Sequence, residues 1–147
     1  MTRCSWDDFG LDLALMWASR SRDEKIKVGA VALSTPEHTL VAAGYNGRAP
    51  GEPNERESLE QGMSGYVHCE INLLIRARWE SHGQHTVYLT HEPCAACARA
   101  IISSGKVQRV VFVNAYAEPD RVRLKLPQGT AILLDSGLAV VQRNVLP

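Results

Sequence analysis

Thr86-Val87-Tyr88-Leu89-Thr90-His91-Glu92-Pro93-Cys94-Ala95-Ala96-Cys97-Ala98-Arg99-Ala100-Ile101-Ile102-Ser103-Ser104-Gly105 is the stretch that decides the fold. Thr86 to Thr90 is short, apolar and β-branched, which predicts a strand. Pro93 stands where a first helical turn begins, and the helix should run through Ile101 and Ile102 to Gly105, a natural C-terminal stop. A further strand is expected over Arg109–Val113. A strand that feeds a helix and then another strand needs a crossover connection, so the two strands should run parallel.

Upstream, Ser5 with Asp8 three residues on resembles a capping box. Phe9, Leu13, Met16 and Trp17 then recur at helical spacing, and this helix should stop near Ser19 to Ser21. Val28–Leu33 reads as a strand and Leu40–Ala43 as its hairpin partner, joined through Ser34, Thr35 and Pro36. Gly44 to Tyr66 is a long loop without periodicity, and a loop of that length inside a domain is usually functional. A helix is expected from Val67 to Arg78. Downstream, Thr130–Ser136 reads as a short helix ended by Gly137, and Leu138–Gln142 as a last strand parallel to its two predecessors. The fold class is therefore α/β, with a mixed sheet covered by helices on both faces.

Composition bounds the function. The 147 residues suit one domain, residues 1–147, able to bury a core without crosslinks. Sixteen basic residues balance sixteen acidic ones, and 6% of residues are aromatic, which weighs against nucleic acid as the partner. No apolar run is long enough to span a membrane, and Met1 to Gly10 has no signal-peptide core, so a cytoplasmic, reducing compartment is expected. There the four cysteines do not form a disulfide framework.

Two short motifs carry the chemistry: His68-Cys69-Glu70 and Pro93-Cys94-Ala95-Ala96-Cys97, each at the start of an expected helix. Zinc takes imidazole and thiolate ligands, and a catalytic site keeps three protein ligands and one open position. His68, Cys94 and Cys97 supply those three, for one Zn²⁺ per chain. A helix N-terminus favours thiolate over thiol at both cysteines. Glu70 is two residues beyond His68, about 200 degrees round an ideal helix, although a helix start can bring both inward. Glu70 is then the proton carrier: it takes a proton from water, gives it to the ring nitrogen of an amidine-like base, and later protonates the departing amino group. His-x-Glu followed by Pro-Cys-x-x-Cys is the signature of zinc nucleobase deaminases.

At these residues the chain resembles the cytidine/deoxycytidylate deaminase superfamily, nearest its deoxycytidylate branch. Ser21-Arg22-Asp23, Lys27 to Val31, Gly44-Tyr45-Asn46-Gly47, His68 to Leu74 and Tyr88 to Gly105 all match in register, so the resemblance covers residues 5–115 and echoes weakly to 142. It implies a three-layer α/β/α fold with a five-stranded mixed sheet, zinc between two helix N-termini, homo-oligomers and a small nucleotide or nucleobase substrate, with dCMP favoured. It implies that Asn46 holds the sugar or base and that the backbone of Val28, Gly29 and Ala30 lines the base pocket. A phosphate would be met by Arg22 or by a loop residue such as Arg48. The chain departs from the pattern at Cys69, where alanine is usual, and in Gly51–Tyr66, which lacks the ligands for a second metal. It departs again in Asn114–Asp120, which keeps only Tyr116 and acids.

Plainer readings stand beside these. Cys69 reads as a small buried residue, His82 and His85 as surface or internally paired histidines, and His91 as either packing or pocket mouth. Trp6, Trp17 and Trp79 read as packing. Tyr116 either stacks on a base or packs. Arg20, Arg22, Lys25 and Lys27 form either a solvated face or a phosphate site. Other deaminase substrates stay open: cytosine, a nucleoside, guanine, a triazine or a base in single-stranded nucleic acid. So do two other classes, a Cys94/Cys97 dithiol oxidoreductase and a non-catalytic zinc module with a fourth protein ligand.

Overall fold

Ser5 caps the first helix: its hydroxyl accepts the backbone N–H of Asp8 at 3.1 Å. The helix it opens, α1 (Trp6–Ala18), carries Asp7 and Asp8 in its first turn, where the positive end of the helix dipole favours them. The computed structural model of the chain describes residues 2–144; the ends of the expected single domain, Met1 and 145–147, lie outside the described residues.

The remaining elements follow in the order β1 (Gly29–Thr35), β2 (Leu40–Tyr45), α2 (Cys69–Arg76), β3 (Gln84–His91), α3 (Ala95–Ser104), β4 (Arg109–Asn114), α4 (Pro119–Arg123), α5 (Gly129–Asp135) and β5 (Ala139–Gln142). They form one five-stranded sheet in the order β2-β1-β3-β4-β5. β1 is antiparallel to both β2 and β3, while β3, β4 and β5 run parallel, as the crossovers require.

The period of two along the strands sorts the core into two layers. Ala30 and Ala32, Val87 and Leu89, and Val110 and Phe112 join Leu73, Ala98, Ile101 and Leu133 on the face covered by α2, α3 and α5. Val31, Leu33, Tyr88 and Val111 join Leu11 and Ala14 of α1 on the other. The helices thus cover both faces, unequally.

The boundaries differ where local chemistry overrides periodicity. α3 starts two residues after Pro93. Cys94 keeps an extended backbone (φ −66°, ψ 166°) as the N-cap, so the helical rotation begins only at Ala95. α2 is shorter than expected because Ala77 turns extended and the Arg78 N–H donates to the Val41 carbonyl at 2.8 Å, laying the chain along β2. α4 was not anticipated from the polar stretch around it, although Pro119 at its first turn is a start signal. Among the described residues no helix is long and apolar enough to cross a membrane.

Packing delivers the site. α2 sits so close to β2 that a Cβ on Gly44 would lie 2.6 Å from the Cys69 carbonyl oxygen. Only glycine permits that approach, which sets the start of α2 against the sheet.

Candidate active site

Two helix N-termini meet. His68 is the N-cap of α2 and Cys94 the N-cap of α3. His68 Nδ1 lies 3.6 Å from Cys94 Sγ and 3.3 Å from Cys97 Sγ. All three ligand atoms fall within 4.8 Å of one another. A tetrahedral zinc with Zn–S of about 2.3 Å and Zn–N of about 2.0 Å would separate sulfur from nitrogen by about 3.5 Å, so the donor set fits that ion. Among the described residues this trio is the one such cluster, and Cys69 is outside it. Among the described residues the trio is therefore a three-ligand set with a coordination position left over, the pattern of a catalytic rather than a structural zinc site.

The angular difficulty with Glu70 is resolved by the cap. His68 has an extended backbone (φ −64°, ψ 151°), so the helical rotation begins only at Cys69. Glu70 turns inward, 6% exposed, and its charge acts on both His68 and Cys97. Its Oε1 accepts the Cys69 thiol at 2.6 Å. The site is graded: Cys97 and Glu70 are buried, Cys94 is half-buried and His68 is exposed, so access is from the imidazole side.

The electrostatics prepare the sulfurs for a cation. A hydrogen bond from Cys97, with further help from His68 and the Cys97 backbone N–H, pushes the Cys94 thiol down to about 4. The same bond, with burial, pushes Cys97 up. His68 beside them has its pKa raised, first by its hydrogen bond to Cys94 and then by the charge of Glu70.

The other anticipated residues divide. Val28 immediately precedes β1 and Gly29 and Ala30 open it; the Gly29 N–H donates to Thr90 Oγ1 at 3.1 Å near the end of β3. Asn46 is buried, with its side chain turned to the segment before β1. Tyr116 follows β4; its hydroxyl accepts from Gln61 of the long loop, and burial first, then the charges of Glu118 and Cys94, raise its pKa. Arg22 is exposed on the α1–β1 connection. Arg48 is held elsewhere. It pairs with Glu52 at 3.2 Å and Glu57 at 3.6 Å, donates to the Glu55 carbonyl at 2.7 Å, and lines a cavity of about 210 Å³ that includes none of the metal ligands. Of the histidines, His85 is buried between the Lys106 carbonyl and the Glu80 N–H. His91 is half-buried beside Thr90 Oγ1 at 2.9 Å.

Sequence reasoning missed several supporting groups. Buried Asp23 receives Arg56 at 2.6 Å, which pins the long loop to the lead-in of β1. Glu92 accepts the backbone N–H groups of Tyr116 and Thr130, each at 3.1 Å, and Glu118 accepts that of Ala95 at 2.6 Å. Glu118 was visible as an acid beside Tyr116, but nothing in the spacing announces a partner twenty-three residues earlier.

A family model described as the cytidine and deoxycytidylate deaminase zinc-binding region matches residues 4–114. A deoxycytidylate deaminase of Mycobacterium phage D29 is 35% identical over 127 residues, spanning 76% of this chain and 97% of that protein. A probable deoxycytidylate deaminase of Drosophila melanogaster is 30% identical over 80% of this chain and 64% of its own length. Among solved structures, a dCMP deaminase from the cyanophage S-TIM5 in complex with dCMP and dUMP superposes with a TM-score of 0.78 at 24% identity. That superposition covers 97% of this chain and all (100%) of that one.

Proposed function

We propose, from the premise that this chain belongs to the cytidine and deoxycytidylate deaminase family, that its reaction is the hydrolysis of dCMP to dUMP and ammonia. The single observation that carries the reading is the open trio of His68, Cys94 and Cys97 with the buried carboxylate of Glu70 beside it. The phosphorylated substrate is supported by the phage D29 relative, which this chain matches over 97% of that protein's length.

His68, Cys94 and Cys97 would hold the zinc. When bound, it supplies a Lewis acid that makes water acidic enough to react near neutral pH. The chain's own contribution is proton management. Water adds at C4 of the cytosine ring and the amino group leaves as ammonia. Glu70 takes a proton from the water and delivers it to N3; it then takes the remaining proton of the hydroxyl added at C4 and supplies it to the amino nitrogen as the C–N bond breaks and the C4 carbonyl forms. The backbone of Val28, Gly29 and Ala30 is the wall we assign to the base, and Asn46 supports it by accepting the Val28 N–H. Tyr116, in the segment after β4, is the ring we assign to cover the base. Arg22, exposed and without an ion-pair partner among the described residues, is the cation we assign to a phosphate, since Arg48 is already paired.

A reducing compartment suits the reading, because the ligands must be free thiols. Assembly into homo-oligomers is supported by Met16, Ile75 and Leu134, which are 69%, 71% and 52% exposed.

The test is ammonia release from dCMP, deoxycytidine, cytosine and a cytosine oligonucleotide side by side. dCMP should be turned over best, and Glu70→Gln should lose about a thousandfold in kcat while retaining zinc. Wild-type turnover by that variant would remove the role of Glu70. A preference for deoxycytidine over dCMP would remove the phosphate.

A further inference from the structure

The first turn of α3 carries two of the three metal ligands, yet its own cap is a weak one. Cys94 Sγ accepts the Cys97 N–H at 3.4 Å, and this same sulfur is a metal ligand. The neighbouring amide, that of Ala95, is satisfied from another part of the chain. Glu118 Oε1 accepts it at 2.6 Å. Glu118 sits between β4 and α4, two residues after Tyr116, and is itself fixed. Its N–H donates to Gln128 Oε1 at 3.0 Å, and its carbonyl accepts Gln128 Nε2 at 3.5 Å. A second carboxylate repeats the link from the other side. Glu92, two residues before Cys94, accepts the Tyr116 N–H through Oε1 and the Thr130 N–H through Oε2.

We propose that Glu118 is a positioning residue: by capping Ala95 it locks the Tyr116-bearing segment to the first turn of α3, so that one bond holds both the grip on the metal and the wall of the nucleotide site. A carboxylate at a helix N-terminus satisfies an amide that has no intrahelical partner and complements the dipole. Here it does so beside Cys94, so losing it loosens the turn that presents the sulfurs. It also loosens the Tyr116-bearing segment, which then stays attached through the Glu118 backbone on Gln128, the Tyr116 N–H on Glu92 and the Tyr116 hydroxyl on Gln61. Groups that orient ligands from behind typically change metal affinity ten- to a hundredfold when removed.

The KM arm rests on dCMP being the substrate; the metal arm does not. The experiment uses the zinc-loaded protein and compares Glu118→Ala, Glu118→Gln and Glu118→Asp. It records zinc release to an excess of a chromogenic chelator, KM and kcat for dCMP, and thermal melting. Glu118→Ala should release zinc about tenfold faster and raise KM about tenfold, with kcat changed less than KM. Glu118→Gln should restore both, because its amide oxygen reaches and accepts the same N–H. Glu118→Asp keeps the charge but is one methylene short, so it should shed zinc faster than the Gln variant, an ordering that stands even if the Ala variant does not fold. The proposal is overturned if Glu118→Ala only melts earlier while zinc release and KM stay at wild type, or if Gln is as damaging as Ala. A failure of the substrate reading looks different: wild type itself would leave dCMP unchanged while the zinc-release order persisted.

Discussion

The side-chain oxygen of Asn46 accepts the backbone N–H of Val28 at 3.0 Å, while its nitrogen donates to the Ile26 carbonyl at 3.0 Å and to Asp23 Oδ2 at 3.2 Å. One buried amide thus ties β2 to the segment that leads into the expected base wall. Asn46→Asp cannot donate, and it sets a second carboxylate against Asp23 and a carbonyl. We expect a loss of about 3 kcal/mol, or roughly 6–12 °C in Tm, and a raised KM for dCMP. Calorimetry with steady-state kinetics checks this; a melt within a degree of wild type would show that the segment is held by something else.

Gly129, at the start of α5, abuts the turn that presents Cys94, and a Cβ there would overlap the Pro93 carbonyl oxygen. Gly129→Ala must therefore push α5 away from α3 or shift Pro93. The expected cost is about 2 kcal/mol, accompanied by faster zinc loss. Gly62→Ala is the control. It has a positive φ of 80° but open space, so it should cost about 1 kcal/mol and leave the metal alone.

These two positions mark what a sequence can and cannot disclose. The metal trio was legible because zinc chemistry fixes residue type and spacing, and because Cys94-x-x-Cys97 spans a single turn. The parallel half of the sheet was legible because its strands alternate with helices. The brace behind the site was not. Asn46 to Val28, Arg56 to Asp23 and Glu118 to Ala95 each join residues well separated in the chain, through a backbone group or an ordinary surface-type ion. Arg48 shows the reverse. Its charge and place suggested an anion ligand, but three neighbours in its own loop occupy it.

Asp7 joins the sheet to α1: Arg109 donates to both its oxygens at 2.6 and 2.7 Å, and the Tyr88 hydroxyl donates at 3.0 Å. The Arg109 hydrogen bond is the largest influence on Asp7 and holds its carboxyl below the ordinary value, so this stabilisation is complete above pH about 4 and is lost as pH falls through the lowered value. Tyr88 behaves oppositely. Burial first, then Asp7, pushes its phenol up to about 12, so its stabilisation is complete below pH about 10 and disappears as pH rises toward 12. Arg143, 3.8 Å from Asp7, is the other charge facing the cluster. Urea unfolding from pH 2.5 to 11.5 should show both limbs. Asp7→Asn should flatten the acid one. Tyr88→Phe should flatten the alkaline one, by about 1–2 kcal/mol after allowance for partial hydration. An alkaline limb unchanged in the Phe variant would assign it elsewhere.

Cys69 fills a position in the core, and its thiol donates to Glu70 Oε1 at 2.6 Å. Burial and the Glu70 charge push its thiol well up, so it stays a donor. Cys69→Ala should lower kcat several-fold with zinc content unchanged, by leaving the carboxylate free to change rotamer. Cys69→Ser restores a donor and should recover most of the rate. Equal kinetics for all three proteins would reduce Cys69 to packing.

The four thiols should report the metal directly. Cys4 is exposed, Cys69 and Cys97 are buried, and Cys94 is half-buried with its thiol pushed down to about 4. A disulfide reagent measures accessible thiolate, so exposure and acidity together set the rate. In the zinc-loaded protein only Cys4 should react quickly, because metal ligation ties up the Cys94 sulfur. Removing zinc with a chelator should add Cys94 as a second fast thiol, and denaturant should bring the count to four. The Cys4→Ser variant should then show no fast thiol until chelation. If Cys94 reacts at the same rate before and after chelation, it is not a zinc ligand, and the trio loses the sulfur nearest the solvent.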